Sequence, residues 1–282
     1  MKRRLALVLS IATLIGAVAT SEPASAKFSA AATSCKAGAL ATLKTGVITV
    51  GTDDPAYGPW FNNNNPANGK GFESAIAYAV AKQLGYPAAK VKWVKASFNT
   101  VIQPGKKPFD FDINEVSITA DRKKAVDFSS GYYDVAQALI TTSTSKIAKA
   151  KTLADLKSAK IGAEVGTTSY ATIIGTIKPK SAPAVFDNND VAKQSLINGQ
   201  IDGLVVDLPT AFYITAAELK NGLIVGQFAA KAGSEQFGLV LSKGSPLTSC
   251  VTGAVDALRA NGSLKTIAAK WLSTTAGAPV LK

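Results

Sequence analysis

The chain has 282 residues, a formal net charge of +12, two cysteines and no histidine. Without histidine there is no Ser-His-Asp or Cys-His nucleophile system, and with two cysteines few zinc or transition-metal sites, so an enzyme on this sequence would have to use carboxylates, lysine or tyrosine; no metal or cofactor is expected. Lys and Arg are scattered, with mild clusters at 146–151 and 178–180 and no basic stripe interleaved with aromatics, so no nucleic-acid partner is expected either.

Lys2, Arg3 and Arg4 precede an apolar run from Leu5 to Ala19, and Ala24-Ser25-Ala26 stands before Lys27. The run is too short to span a bilayer and ends at an A-x-A site, so residues 1–26 read as a secretory signal cleaved after Ala26. An uncleaved anchor is the alternative, against which stand the short run and the polar Ser21-Glu22-Pro23. Removal of three basic residues and one acidic one leaves +10 on an exported chain, periplasmic or extracellular and cell-surface, with length for one large domain or two small ones. Its diffuse positive charge suits either solubility or proximity to anionic lipid or wall polymer. Two cysteines near the ends of such a chain read as one disulfide, Cys35 to Cys250, with lipidation of Cys35 as the alternative, to which Ala32-Thr33-Ser34 is a poor lead-in.

Val47 to Gly51 reads as a buried strand, followed by a Pro/Gly-punctuated loop to Trp60 and a hairpin-like loop from Phe61 to Lys70. Gly71 to Leu84 has helical apolar spacing and stops at Gly85. A strand at Val91–Val94 and a short helix at Phe98–Ile102 follow. Phe109 to Tyr133 then reads as strand, loop, short helix and strand. Within it, Ser117-Ile118-Thr119 leads to Arg122, whose planar guanidinium matches a carboxylate in a bidentate way. Taken alone, Arg122 among Asp121, Lys123 and Lys124 reads as readily as a charge on a solvated helix face.

Residues 141–151 have linker texture, after which the alternation restarts. Strands are expected at 160–164, 184–186 and 203–206, helices at 167–174, 188–197 and 208–219. A strand at 236–241 and helices at 246–260 and 263–272 close the chain. The expected class is α/β with two lobes, 27–139 plus 234–282 and then 140–233, each a mostly parallel sheet flanked by helices. If Cys35 pairs with Cys250, the chain passes between lobes twice, which implies a hinge.

From about Leu43 to Leu272 the chain resembles the polar-amino-acid family, family 3, of extracellular solute-binding proteins of ABC importers. The resemblance is carried by Asp54-Pro55-Ala56-Tyr57-Gly58-Pro59-Trp60, by Gly71-Phe72-Glu73, by Ser117-Ile118-Thr119 with Arg122 and the following Val126 to Tyr133, and by Val165-Gly166-Thr167-Thr168 with Asp202 to Asp207. Ala75 departs from it, standing where the family usually has a second acid. The resemblance implies a two-lobed periplasmic-binding-protein-like fold of type II, and a monomer that closes on a small amino-acid ligand and delivers it to a membrane ABC permease.

By the same resemblance Arg122, with Ser117 and Thr119, receives the ligand carboxylate alongside Thr167 or Thr168 at a helix N-terminus; Asp207 takes the ammonium; Tyr57, Trp60 and Phe98 cover the ligand body. Asp207 has the alternative role of capping the helix at Leu208-Pro209, and the aromatics that of ordinary core. Glu115 and Asp54 add two carboxylates, which favours a cationic side chain, since each desolvated acid needs a partner. Glu115 pointing into solvent or pairing with a lysine is the other reading. The rival functions are a carboxylate-based dehydratase-like enzyme on the same fold and a sensory receptor domain that does not transport.

Overall fold

In the computed structural model, residues 35–229, 235–272 and 277–282 are described; the expected signal lies outside them. In chain order the elements are β1 (Ile48–Thr52), α1 (Phe72–Gln83), β2 (Val91–Lys95), α2 (Phe98–Val101), β3 (Phe111–Asp112), α3 (Arg122–Ala125), β4 (Val126–Asp134), β5 (Gln137–Thr142), β6 (Ile161–Glu164) and α4 (Thr168–Thr172). They continue with β7 (Ala184–Phe186), α5 (Asn189–Ile197), β8 (Gly203–Asp207), α6 (Leu208–Tyr213), β9 (Gly222–Phe228), β10 (Gln236–Ser242), α7 (Thr248–Ala260), α8 (Ser263–Trp271) and β11 (Val280–Leu281).

Among the described residues these strands form two sheets, ordered β2-β1-β3-β10-β4 and β11-β9-β5-β8-β6-β7. β1 pairs in parallel with β2 and β3, while β10 runs antiparallel to both β3 and β4. In the second sheet β5 is antiparallel to β8 and β9, and the remaining pairings are parallel. Each sheet is thus mostly parallel, with one reversed strand, and the two-lobed architecture is the expected one.

The sheets are buried on both faces, which is why their strands carry continuous apolar runs. In β10, Leu239 and Leu241 pack with Val80, Val251 and Val255 of α1 and α7, while Val240 faces Phe98 and Val101 of α2. In the second sheet Leu139 and Val205 share one core, and Ala138, Ile140, Leu204 and Val206 the other. The helix α1 starts after Gly71 (φ +98°), where a Cβ would collide with the Trp60 carbonyl, and ends before Gly85 (φ +84°).

Cys35 is bonded to Cys250 on α7, 215 positions away, with Cα atoms 5.2 Å apart. The chain leaves the first sheet at Asp134, enters the second at Gln137, and returns with β10. Three strands go beyond the sequence expectation. β5 runs from 137 to 142 into the segment read as linker, β9 follows the helix after β8, and β11 pairs with β9 so that the tail ends in the second sheet. The 61–70 loop is a series of turns around a short helical turn at Pro66–Asn68 rather than a hairpin.

Candidate functional site

Parallel strands place their carboxyl ends on one side of a sheet, and here both sheets aim those ends at the same cavity. From the first sheet come Asp53, directly after β1, and Asn114 and Glu115, just beyond β3; Tyr57 and Phe98 extend that wall. From the second come Glu164 at the end of β6, Val206 and Asp207 at the end of β8, Thr167, Thr168 and Ser169 at the start of α4, Asn189 at the start of α5, and Thr210 on α6. The cavity volume is about 30 Å³. That is room for a water or two, whereas a small-molecule site needs several hundred Å³, so the lobes must part to admit a ligand and the arrangement is a shut one.

Among the described residues four carboxylates line this cavity, Asp53, Glu115, Glu164 and Asp207, and no lysine or arginine does. Burial is the main reason the protons of Glu115, Asp207 and Glu164 are held. It pushes Glu115 well above the usual carboxylate range, with Glu73, Asp207 and Glu164 adding repulsion. Asp207 is raised in the same way by burial, then by Glu235, although Gln137 Nε2 donates to it at 2.6 Å. Glu164 is pushed to about 8 by burial and by Asp53, against a backbone N–H from Asn189. Asn114 adds a buried Nδ2 donor without a partner among the described residues.

Glu115 stands on a backbone with φ +54°, uncommon for a residue with a Cβ. Glu73, fully buried behind it, accepts the Glu115 N–H at 2.8 Å and the Tyr132 hydroxyl, and burial raises its own carboxyl to about 7. Thr210 donates to Glu115 Oε2 at 3.2 Å. No group of three or more His, Cys, Asp or Glu among the described residues is assembled to hold a metal ion.

Arg122 lies beside the cavity rather than on its wall. Nη1 donates to the Ser117 carbonyl at 2.7 Å, Nη2 to the Gly166 carbonyl at 2.9 Å, and the guanidinium stacks 5.2 Å from the Phe98 ring centre. Two of its five N–H donors are thereby used, and three remain. Ser117 Oγ bonds the Glu235 carboxylate and comes within 3.4 Å of Thr168 Oγ1. Thr119 Oγ1 accepts the Arg122 N–H, fixing the turn that carries the arginine. Thr167 caps α4 by accepting from the Tyr170 N–H. Asp207 precedes α6 without a side-chain capping bond, so its carboxyl is free of that structural task.

The structure therefore brings Tyr57, Phe98, Glu115, Thr167, Thr168 and Asp207 to one cavity, with Ser117, Thr119 and Arg122 adjoining it. Two expected residues lie elsewhere. Asp54 is on the surface, paired with Lys95 and Asn64, and its neighbour Asp53 faces the cavity instead. Trp60 is 0% exposed, packed edge-on against Phe72, Tyr133 and Phe237, and touches the site only through its Nε1–H to Thr210 at 2.8 Å. Glu164, Asn189 and Thr210 were not anticipated; the signal for Glu164 was present, because it ends a parallel strand as Asp207 does.

Two α/β lobes shut on a polar cavity at their strand ends define a solute-binding protein of the periplasmic-binding-protein type. Residues 48–274 match the profile of the bacterial extracellular solute-binding proteins, family 3, and the chain belongs to that family. It is 29% identical over 250 residues to an L-arginine-binding protein of Pseudomonas aeruginosa, covering 84% of this chain and 95% of that one. It is 30% identical over 217 residues to the ABC transporter glutamine-binding protein of Bacillus subtilis, covering 75% and 77%. Among solved structures it resembles an ancestral amino acid-binding protein described as a precursor of cyclohexadienyl dehydratase, with a TM-score of 0.66, 29% identity, and 80% and 95% of the two chains covered. No helix of the described residues is long and apolar enough to cross a membrane.

Proposed function

We propose that this protein is an exported receptor for a cationic amino acid, which it captures by hinge closure and delivers to a membrane ABC permease. The observation that carries the reading is the convergence of four carboxylates from both lobes on a cavity lined, among the described residues, by no cationic side chain. The arginine-binding relative, similar over most of its length, supports the same ligand class. In this reading the ligand carboxylate meets Thr168, Ser117 and the spare N–H groups of Arg122, and its ammonium meets Asp207. Tyr57 and Phe98 flank the body, and Glu115, with Asp53 in place of Asp54, takes the side-chain charge.

The first lobe comprises 35–134 with 235–272, and the second 137–229 with the tail at 277–282. The signal is cleaved after Ala26, and the protein acts as a monomer. Contacts from both lobes exist together only when the cleft is shut, so a bound ligand draws the population to the closed form. In this reading the protein is a binder and not an enzyme: Glu115 has the raised carboxyl of a general acid, but that carboxyl accepts from the Thr210 hydroxyl and faces the ligand's charge. Thermal-shift screening against arginine, lysine, ornithine, histidine, glutamine and glutamate tests the reading. Stabilisation by the cationic members is expected; stabilisation by glutamate alone would overturn it.

A further inference from the structure

One hydrogen-bonded path crosses the cleft twice and ends on a cavity carboxylate. The Trp60 indole, anchored in the first-lobe core, donates from Nε1 to Thr210 Oγ1 at 2.8 Å. Thr210, 3% exposed on α6 of the second lobe, donates onward to Glu115 Oε2 at 3.2 Å, back in the first lobe. The direction is fixed by the donor inventory: an indole N–H only donates, so the hydroxyl accepts there and its single proton points at Glu115. The helix α6 is held in register by a second contact across the cleft, where the Tyr213 ring lies so close over Gly58 that a Cβ would overlap it. Glu115 is itself constrained, its backbone in the left-handed region and its N–H taken by Glu73.

Resting on the receptor reading, we propose that Thr210 is a specificity-determining positioning residue: lobe closure brings its hydroxyl onto Glu115 and orients that carboxylate toward the positive end of the ligand side chain. The first lobe alone holds the Glu115 backbone but does not orient its carboxylate. The second lobe supplies the orienting hydrogen bond only once it has docked against Trp60. Selection of a cationic over a neutral ligand is then made in the closed state, by a residue that need not touch the ligand's carboxylate or ammonium. The hydroxyl presents a fixed proton to an acid that a nearby cation keeps ionised, the arrangement in which a hydrogen bond is strongest.

The test measures arginine and glutamine affinities by calorimetry for the unaltered protein and for Thr210→Val, Thr210→Ala and Thr210→Ser, each first shown by thermal melting to be folded. The expected result is an arginine affinity about 10-fold weaker in Thr210→Val and Thr210→Ala, scaled from a hydrogen bond to a charged group, with glutamine shifted less than about 3-fold and Thr210→Ser close to the unaltered protein. Thr210→Ala leaves no methyl against the indole N–H, so it stands in if the valine variant does not fold. Equal losses for both ligands would make Thr210 a closure contact only and overturn the proposal, as would no loss for either. Failure of the unaltered protein to bind any cationic amino acid would instead overturn the receptor reading itself.

Discussion

Arginine affinity should rise steeply with pH between 6 and 8, because Glu164 must lose its proton before it can face a cation. Burial holds Glu164 at about 8, so in the ligand-free site it is largely protonated at pH 6, and burial raises Glu115 and Asp207 well above their usual range. A cationic ligand displaces those protons. Each proton displaced weakens binding about tenfold per unit of pH below the group's pKa, so moving from pH 8 to pH 6 costs about 50-fold, or about 2.3 kcal/mol, for the Glu164 proton. For the ligand-free protein the sign is opposite. The cost of ionising Glu164 is absent below its ordinary 4.5 and fully present above about 8, so stability falls across that window as pH rises, and a bound cation restores it. Calorimetry at pH 6, 7 and 8, in buffers of low and high ionisation enthalpy, reads both the affinity and the number of protons released. An affinity flat in pH with no buffer-dependent heat would refute the argument that these acids are the ligand's counter-charges.

Arg122→Ala should abolish measurable arginine binding, a loss of about 100-fold or more in affinity, while the circular dichroism spectrum is retained; unchanged affinity would remove the arginine from the site. Gly58→Ala places a methyl in the Tyr213 ring and should weaken ligand binding by obstructing closure, with little change in the ligand-free melting temperature; equal affinity would mean that this seam does not form on closure. Replacing both Cys35 and Cys250 by alanine opens a loop of 215 positions and should lower stability by up to about 5 kcal/mol in urea melts, and an unmoved midpoint would contradict a structural role for the bond.

The alternation of buried strands with helices was legible because parallel strands covered on both faces leave continuous apolar runs. β5 escaped notice because it follows β4 after two residues, so one apolar stretch held two strands belonging to different sheets. β9, with Gly226 inside it, is stabilised by pairing with β5, and the two-residue β11 by pairing with β9, which no local pattern announces. Within the site, Arg122 and Asp207 were found through motif resemblance, and Asp207 also through its strand-end position. The same strand-end rule picks out Glu164, and it favours Asp53 over Asp54, since Asp53 follows β1 directly while Asp54 has already turned outward to Lys95. Trp60 was expected against the ligand because it is aromatic and follows Tyr57, but its bulk is needed in the core beneath the loop, and only its N–H reaches the cleft. Thr210 carried no signal at all, because its role depends on a contact between lobes 150 positions apart.

The central claim, that the anionic cleft selects a cationic amino acid, is tested most directly by titrating the purified protein with arginine and with glutamate in a calorimeter at pH 8. Saturable one-to-one binding of arginine and no detectable heat of binding for glutamate are expected. Tight glutamate binding with no response to arginine, lysine or ornithine would contradict it.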